Sequence, residues 1–273
     1  MTLLQIIVLA VVQGITEFLP ISSSGHLILV PWLTNWPDQG LLMDVGVHVG
    51  TLAAVMLYFR ADVARMIGAF WHMITFKKDV NQPDKRLMIA IVLSTIPVVL
   101  IGGLASKMGW TDVWRNMEVI GWTSIIFGLL LYVLDHKSSV TRKISDLRYG
   151  HAMIIGLAQV LAIIPGTSRS GITMTAARGL GFSRTEAARF SMLMSIPTIL
   201  AAGSLEGLTL IKSGNMTLGI DIFLGAGLSF LTALLAIAGL MKWLQKSTMT
   251  PFVIYRVILG IALLTLVYSA NII

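Results

Sequence analysis

Glu17-Phe-Leu-Pro-Ile-Ser-Ser-Ser-Gly-His26 interrupts an apolar stretch running from residue 1 to 34, and that interruption decides how the chain can fold. A carboxylate near a bilayer centre costs about 2.5 to 3.5 kcal/mol on insertion scales, so an acid in such a stretch faces a protein cavity and a partner. Pro20 and Gly25 break the stretch near its middle, which leaves halves shorter than the roughly 20 residues a crossing helix requires. A second apolar stretch, 151 to 182, is broken in the same way within Pro165-Gly-Thr-Ser-Arg-Ser-Gly171. Backbone freed from helical bonding is tolerated at membrane depth only where it is buried in protein or lines a wet cavity. Both segments therefore read as re-entrant helical hairpins.

The remaining chain supports that frame. Of its 273 residues, 56% are hydrophobic and 12% charged, with a mean hydropathy of +0.84, which excludes an ordinary soluble domain. Apolar runs at about 41–59, 87–105, 119–134, 184–205, 220–241 and 252–270 are long enough to cross. The expected fold class is an all-α polytopic membrane protein with about six transmembrane helices and two re-entrant hairpins. It forms one integral membrane domain over 1–273. The net charge of +7 sits in loops between apolar runs and reads as a topology signal rather than a nucleic-acid surface. Absence of cysteine excludes disulfides and thiolate metal sites. Residues 1–12 lack a basic n-region, and no cleaved leader is expected.

Arg60 is the first basic residue, so the N-terminus is expected outside and the loop after the first span inside. Alternation then places Arg60, Arg65, Lys77, Lys78, Lys85, Arg86, Lys137, Arg142, Lys143, Arg148, Arg184, Lys242 and Lys246 in the cytoplasm, with Arg189 and Arg256 on nearby helix ends. The opposite loops hold Lys107, Arg115 and Lys212. An odd number of spans between the hairpins gives an inverted-topology repeat, with halves at about 1–135 and 150–273. The motifs echo it: Gln13 and Gln159, Ser22 and Ser168, and Ser24 and Ser170 fall in register, with Ser23 opposite Arg169. In such folds the site lies where the hairpin tips meet near the midplane, so Glu17 and Arg169 are expected to share a cavity.

Each candidate residue has a chemical reason. Gln13 and Glu17, at i and i+4, project toward one point and offer oxygens to a divalent cation such as Mg2+ or Ca2+, the rest of whose shell is water and phosphate. Ser22, Ser23, Ser24 and Gly25 form a hydroxyl-rich turn whose amides suit a phosphate where a helix begins. His26 is a candidate general base, general acid or nucleophile. Arg169 presents a planar fork to phosphate oxygens, with Thr167, Ser168 and Ser170 as neighbouring hydroxyl donors. Asp44 and His48 form a second i, i+4 pair on the cavity wall, for which support and chemistry weigh equally. Arg178, Arg184, Glu186 and Arg189 read as a charged hairpin base. Trp32, Trp36, Trp110 and Trp114 read as interfacial anchors.

Gln13-Gly-Ile-Thr-Glu-Phe-Leu-Pro-Ile-Ser-Ser-Ser-Gly-His26 and Pro165-Gly-Thr-Ser-Arg-Ser-Gly171 resemble the two signatures of the undecaprenyl-pyrophosphate phosphatases of the bacitracin-resistance type. The likeness extends through Asp44-Val-Gly-Val-His-Val-Gly-Thr51 and the stretch from Ser183 to Ser191. The resemblance implies hydrolysis of a polyprenyl pyrophosphate to the monophosphate and inorganic phosphate, recycling the carrier lipid for cell-wall synthesis. It implies catalytic roles for Glu17, Ser23, His26 and Arg169, and metal dependence through Gln13 and Glu17; this chain has Gln13 where many members carry glutamate. It also implies a bacterial plasma membrane location. The expected partners are the polyprenyl lipid and the membrane, without nucleic acid, and a second copy of the chain is kept open as a homodimer. The active site is expected to face outward, because Glu17, Ser23 and His26 lie on the outward-rooted hairpin. Serine, histidine and water all stay open as nucleophile.

Two other classes compete. Ser24-Gly25-His26 matches a short piece of the type-2 phosphatidic acid phosphatase signature, but no histidine follows Ser168-Arg169, as that signature needs. A polyprenyl-phosphate flippase or secondary transporter would use the same inverted repeat.

Overall fold

Where proline and glycine interrupt the apolar runs, the helices stop. The computed structural model describes residues 1–75, 81–138, 141–213 and 220–270; Lys77 and Lys78, two of the expected cytoplasmic cations, lie outside the described residues. The first hairpin is α1 (Leu3–Thr16) and α2 (Ser23–Thr34), and Pro31 is carried inside α2. Then come α3 (Gly40–Tyr58), α4 (Arg60–Ile74), α5 (Gln82–Lys107), the single turn α6 (Trp110–Val113) and α7 (Met117–Lys137). The second hairpin is α8 (Tyr149–Val160), extended by a 3-10 turn at Leu161–Ile163, and α9 (Arg169–Gly179). α10 (Arg184–Ser213), α11 (Ile220–Leu244) and α12 (Thr250–Ala270) complete the chain.

Six of these helices are long and apolar enough to cross a membrane: α3, α5, α7, α10 over Arg184–Leu205, α11 and α12 over Thr250–Ser269. They match the six runs expected from hydropathy, with α5 and α7 extended by polar residues at their ends. The chain is an all-α polytopic membrane protein. Side chains such as Leu100, Leu235 and Phe223 point outward from these helices, as lipid-facing residues do. The region 60–86, expected as a loop, contains α4, an amphipathic helix whose apolar side chains are mostly exposed. The charges at Arg60, Asp62 and Arg65 lower its hydropathy below that of a crossing run.

Helices from the two halves of the chain pack across each other. The hairpin helix α1 lies on α11 and α8 lies on α5, while α3 meets α11 and α7 meets α12. At the α3–α11 crossing a Cβ on Gly50 would fall 2.2 Å from the Ala226 carbonyl, so only glycine permits that approach. The Ser229 hydroxyl donates to Val47 O at 2.8 Å across the same contact.

The hairpins are rooted at opposite ends of the bundle. Beside the first, the Met1 amino group pairs with Asp221 at the start of α11 and Arg115 approaches Asp38. The base of the second is fastened at the other end of α7. Asp135, fully buried there, accepts from Arg178 Nε at 2.9 Å and Arg184 Nε at 2.8 Å. It also accepts from the Met249 amide ahead of α12 at 3.2 Å. Nearby, Asp62 of α4 binds Arg189 of α10 and Arg65. Burial alone would raise the Asp62 carboxyl, yet hydrogen bonds from Arg189 and Arg65 hold it below the ordinary carboxylate range. The expected charged base at Arg178, Arg184, Glu186 and Arg189 is thus a set of acid-bridged helix ends.

Arg256 is different. Counted among cytoplasmic helix-end charges, it is instead fully buried within the bundle.

Candidate active site

The two hairpin tips form matching turns. Ser22 and Ser168 both adopt left-handed backbone, with φ of 75° and 70°. Each caps the helix that follows: Ser22 Oγ accepts from the Gly25 amide at 3.3 Å and Ser168 Oγ from the Gly171 amide at 3.1 Å. Ser24 and Ser170 sit two residues on, 3.4 and 3.2 Å from those capping hydroxyls. A non-glycine residue in this region is strained, and two such positions in register mark a built feature rather than a chance turn.

The tips touch. Ser170 Oγ donates to Leu19 O at 2.8 Å, and a Cβ on Gly25 would lie 3.7 Å from the Gly166 Cα. Gly166, with φ of +85°, has the Ile120 carbonyl and the Thr123 hydroxyl where any Cβ would go, so the second tip can nest on α7 only with glycine there.

Glu17 lies at the centre of this contact, only 7% exposed. Its Oε1 accepts from Arg169 Nη2 at 2.8 Å. Its Oε2 accepts from Ser23 Oγ at 2.7 Å and from Gln13 Nε2 at 3.0 Å. The expected meeting of acid and guanidinium, 152 residues apart in the chain, is present. Arg169 is steadied by donation from Nη1 to Ser191 O at 3.1 Å and lies over the Phe18 ring. The other face of Glu17 meets His48, whose Nε2 is 3.8 Å from Oε2. Because His48 Nδ1 lies 2.7 Å from the Asp44 carbonyl, that nitrogen carries the hydrogen in the neutral ring and Nε2 turns toward Glu17.

Not every expected residue joins this cluster. His26 hydrogen-bonds through Nδ1 to Ser22 O at 2.6 Å and through Nε2 to the Tyr255 hydroxyl at 2.5 Å, with the two rings stacked. The neutral ring donates from Nδ1, so Nε2 accepts from Tyr255. The Asp44 carboxylate receives Gln39 Nε2 at 2.9 Å and takes no part in the Glu17 contacts. Ser24 is exposed at the mouth of the tip, and Thr167 Oγ1 is buried without a partner. Sequence reasoning missed Tyr255, Ser191 and Arg256 as neighbours of the tips. The i, i+4 pairing of Asp44 with His48 was the one signal for His48.

The oxygens also bear on a cation. Among the described residues no group of three or more histidine, aspartate or glutamate side chains converges. Gln13, however, is fully buried, and its Oε1 has no hydrogen-bond partner. An orphaned buried carbonyl oxygen beside a carboxylate fits a hard cation that draws its other ligands from water and phosphate.

Comparison with known proteins shows the family. The family model described as bacitracin resistance protein BacA matches residues 6–262. Undecaprenyl-diphosphatase of Dinoroseobacter shibae is 50% identical over 269 residues, covering 98% of this chain and all of the relative. Undecaprenyl-diphosphatase of Ruegeria pomeroyi is 46% identical over 269 residues with the same coverage. The enzyme of that name from Teredinibacter turnerae is 46% identical, covering 96% of this chain and 98% of the relative. With both tip motifs inside the matched region and the resemblance running nearly end to end, the chain belongs to the bacitracin resistance protein BacA family.

Proposed function

We infer that this chain is an undecaprenyl-diphosphate phosphatase, a membrane hydrolase that cleaves the terminal phosphate from a polyprenyl pyrophosphate and so recycles the carrier lipid. The single observation carrying this reading is Glu17 bound at once by Ser23 and Arg169. The three supply a base, a hydroxyl nucleophile and an anion-holding fork at one point. When the pyrophosphate enters, Arg169 exchanges Glu17 for phosphate oxygens. Ser23 Oγ attacks the terminal phosphorus and passes its proton to Glu17. The anhydride P–O bond breaks, polyprenyl phosphate departs, and water then releases inorganic phosphate from the serine. The capping turns at Ser22–Gly25 and Thr167–Ser170 would line the phosphate, with the unpartnered Thr167 hydroxyl as a donor, while the Gly25 amide and the Ser170 hydroxyl are engaged by Ser22 Oγ and Leu19 O and hold the turns in shape. Here α2 and α9 both begin, and helix N-termini favour anions. His26, held by Tyr255, stands one turn from Ser23 as a proton donor or acceptor for the second step.

Gln13 and Glu17 would hold a divalent cation, Mg2+ or Ca2+, which when bound supplies positive charge to the pyrophosphate. The purified chain is expected to release inorganic phosphate from a polyprenyl pyrophosphate, with most of the rate lost in a chelator and restored by added Mg2+ or Ca2+. Lipid movement between leaflets with no phosphate released would replace this reading with the flippase alternative. Full activity in the chelator would remove the cation from it.

The chain is further proposed to be one membrane unit of two inverted repeats, about 1–135 and 150–273. The twin serine caps and the reciprocal packing of α1 on α11 and α8 on α5 support this. The membrane is the bacterial plasma membrane, with the site open to the outer side. Support comes from the excess of lysine and arginine at the end of the bundle opposite the base of the first hairpin. In this cysteine-free chain a Ser24→Cys variant is expected to react with an impermeant thiol reagent added outside intact cells. Labelling only in inverted vesicles would reverse the orientation.

A further inference from the structure

Arg256 heads the largest fully buried side chains described in the structure. The arginine ion pairs among the described residues use Arg65, Arg115, Arg169, Arg178, Arg184 and Arg189, and none reaches Arg256. Its guanidinium goes instead to four main-chain carbonyls. Nη1 donates to Pro20 O at 3.4 Å, and Nη2 donates to Thr123 O at 3.3 Å, Gly166 O at 3.0 Å and Thr167 O at 2.9 Å. Pro20 belongs to the first tip, Gly166 and Thr167 to the second, and Thr123 to α7. One side chain of α12 thus binds both interrupted helices and the span that supports the second of them.

The slot is shaped for it. A Cβ on Gly171 would fall 2.8 Å from Arg256 Nη1, and one on Gly128 would fall 3.3 Å from Arg256 Cβ. Burying a cation without an acid is costly unless its hydrogen-bonding capacity is met. Carbonyls of Pro20, Gly166 and Thr167 in the broken segments, with Thr123 of α7, engage both terminal nitrogens, while the buried Nε has no partner; carbonyls freed where a helix breaks need a donor for the same reason. A planar fork reaches several carbonyls at fixed angles, whereas a lysine ammonium is a point donor on a flexible stem.

We propose that Arg256 is a positioning residue that locks the two hairpin tips in register and thereby sets the approach of Arg169 to Glu17. This rests on reading the Glu17–Arg169 contact as the reaction centre. The competing explanation is that the buried charge acts on the pyrophosphate through its field alone, and a lysine would then serve equally well.

The test uses the purified full-length protein and two readouts. Arg256→Lys and Arg256→Met are each expected to lower kcat by about 10^2-fold with KM shifted far less, because misplacing reactive groups by an ångström carries a penalty of that order. The second readout follows the tips directly. Leu19→Cys with Ser170→Cys spans the tip contact in a chain that has no other cysteine. A short thiol cross-linker is expected to join them readily beside Arg256 and several-fold more slowly in both variants. Gly171→Ala keeps Arg256 but crowds its guanidinium, so it is expected to slow the cross-linking too and carries the test if an Arg256 variant does not fold. Cross-linking at the parent rate in the variants, or full activity in Arg256→Lys, would overturn the proposal. Cross-linking does not depend on hydrolysis. A parent protein that released no phosphate would sink the phosphatase reading and leave the clamp to be judged on this readout alone.

Discussion

Ser23→Ala is expected to lower phosphate release on the order of 10^4-fold or more, the scale on which loss of a covalent nucleophile acts. The reason is geometric. Of the tip serines, Ser23 is the one whose hydroxyl rests on the Glu17 carboxylate, at 2.7 Å, while Ser22 caps α2 and the Ser24 hydroxyl turns to Ser22. Rapid quenching with substrate labelled in the terminal phosphate should place label on the parent protein and none on Ser23→Ala. His26→Ala should still acquire label and release it slowly, since His26 is engaged with Ser22 and Tyr255 rather than with Glu17. Label on Ser23→Ala that vanishes in His26→Ala would make the imidazole the nucleophile. No label on any of the three would transfer the attack to water.

Arg169→Ala is expected to reduce kcat/KM by about 10^2- to 10^3-fold, the usual effect of removing one preorganised donor from developing negative charge. Arg169→Lys should recover little of it, because a point charge does not reproduce a fork that reaches Glu17 and Ser191 together. Removing one partner of a buried ion pair also destabilises by about 3–5 kcal/mol, so thermal unfolding must accompany the kinetics. Adding Glu17→Gln to Arg169→Ala removes the stranded carboxylate and should restore stability without restoring rate. Activity near the parent value in a folded Arg169→Ala protein would separate this guanidinium from the reaction.

Both predictions depend on contacts that were legible to different degrees. The acid, the serines and the arginine stood out because polar residues in broken apolar segments have few structural excuses. The places of the six long helices followed from hydropathy, though not the polar ends of α5 and α7, and the two breaks followed from proline and glycine. Residue type and position did not reveal which serine would reach the carboxylate. Ser22 and Ser23 are chemically alike; the left-handed turn at Ser22 sends one hydroxyl to its own helix and the other to Glu17. Arg256 misled for the opposite reason: an arginine six residues into a span after a basic loop looks like a topology signal until the fold surrounds it.

The sequence by itself determined the class of the protein, the number of spans, the places where helices break and the chemical types gathered at the breaks. These depend on neighbouring residues, through hydropathy over some twenty positions and backbone preferences over three or four. The sequence also pointed to Glu17 meeting Arg169, but the tertiary structure alone decided the other pairings across the chain: His48 with Glu17, His26 with Tyr255, and Arg256 with both tips. Many arrangements of six apolar helices satisfy the same hydropathy. Close packing through glycine, and the need to satisfy every buried carbonyl and charge, select one of them.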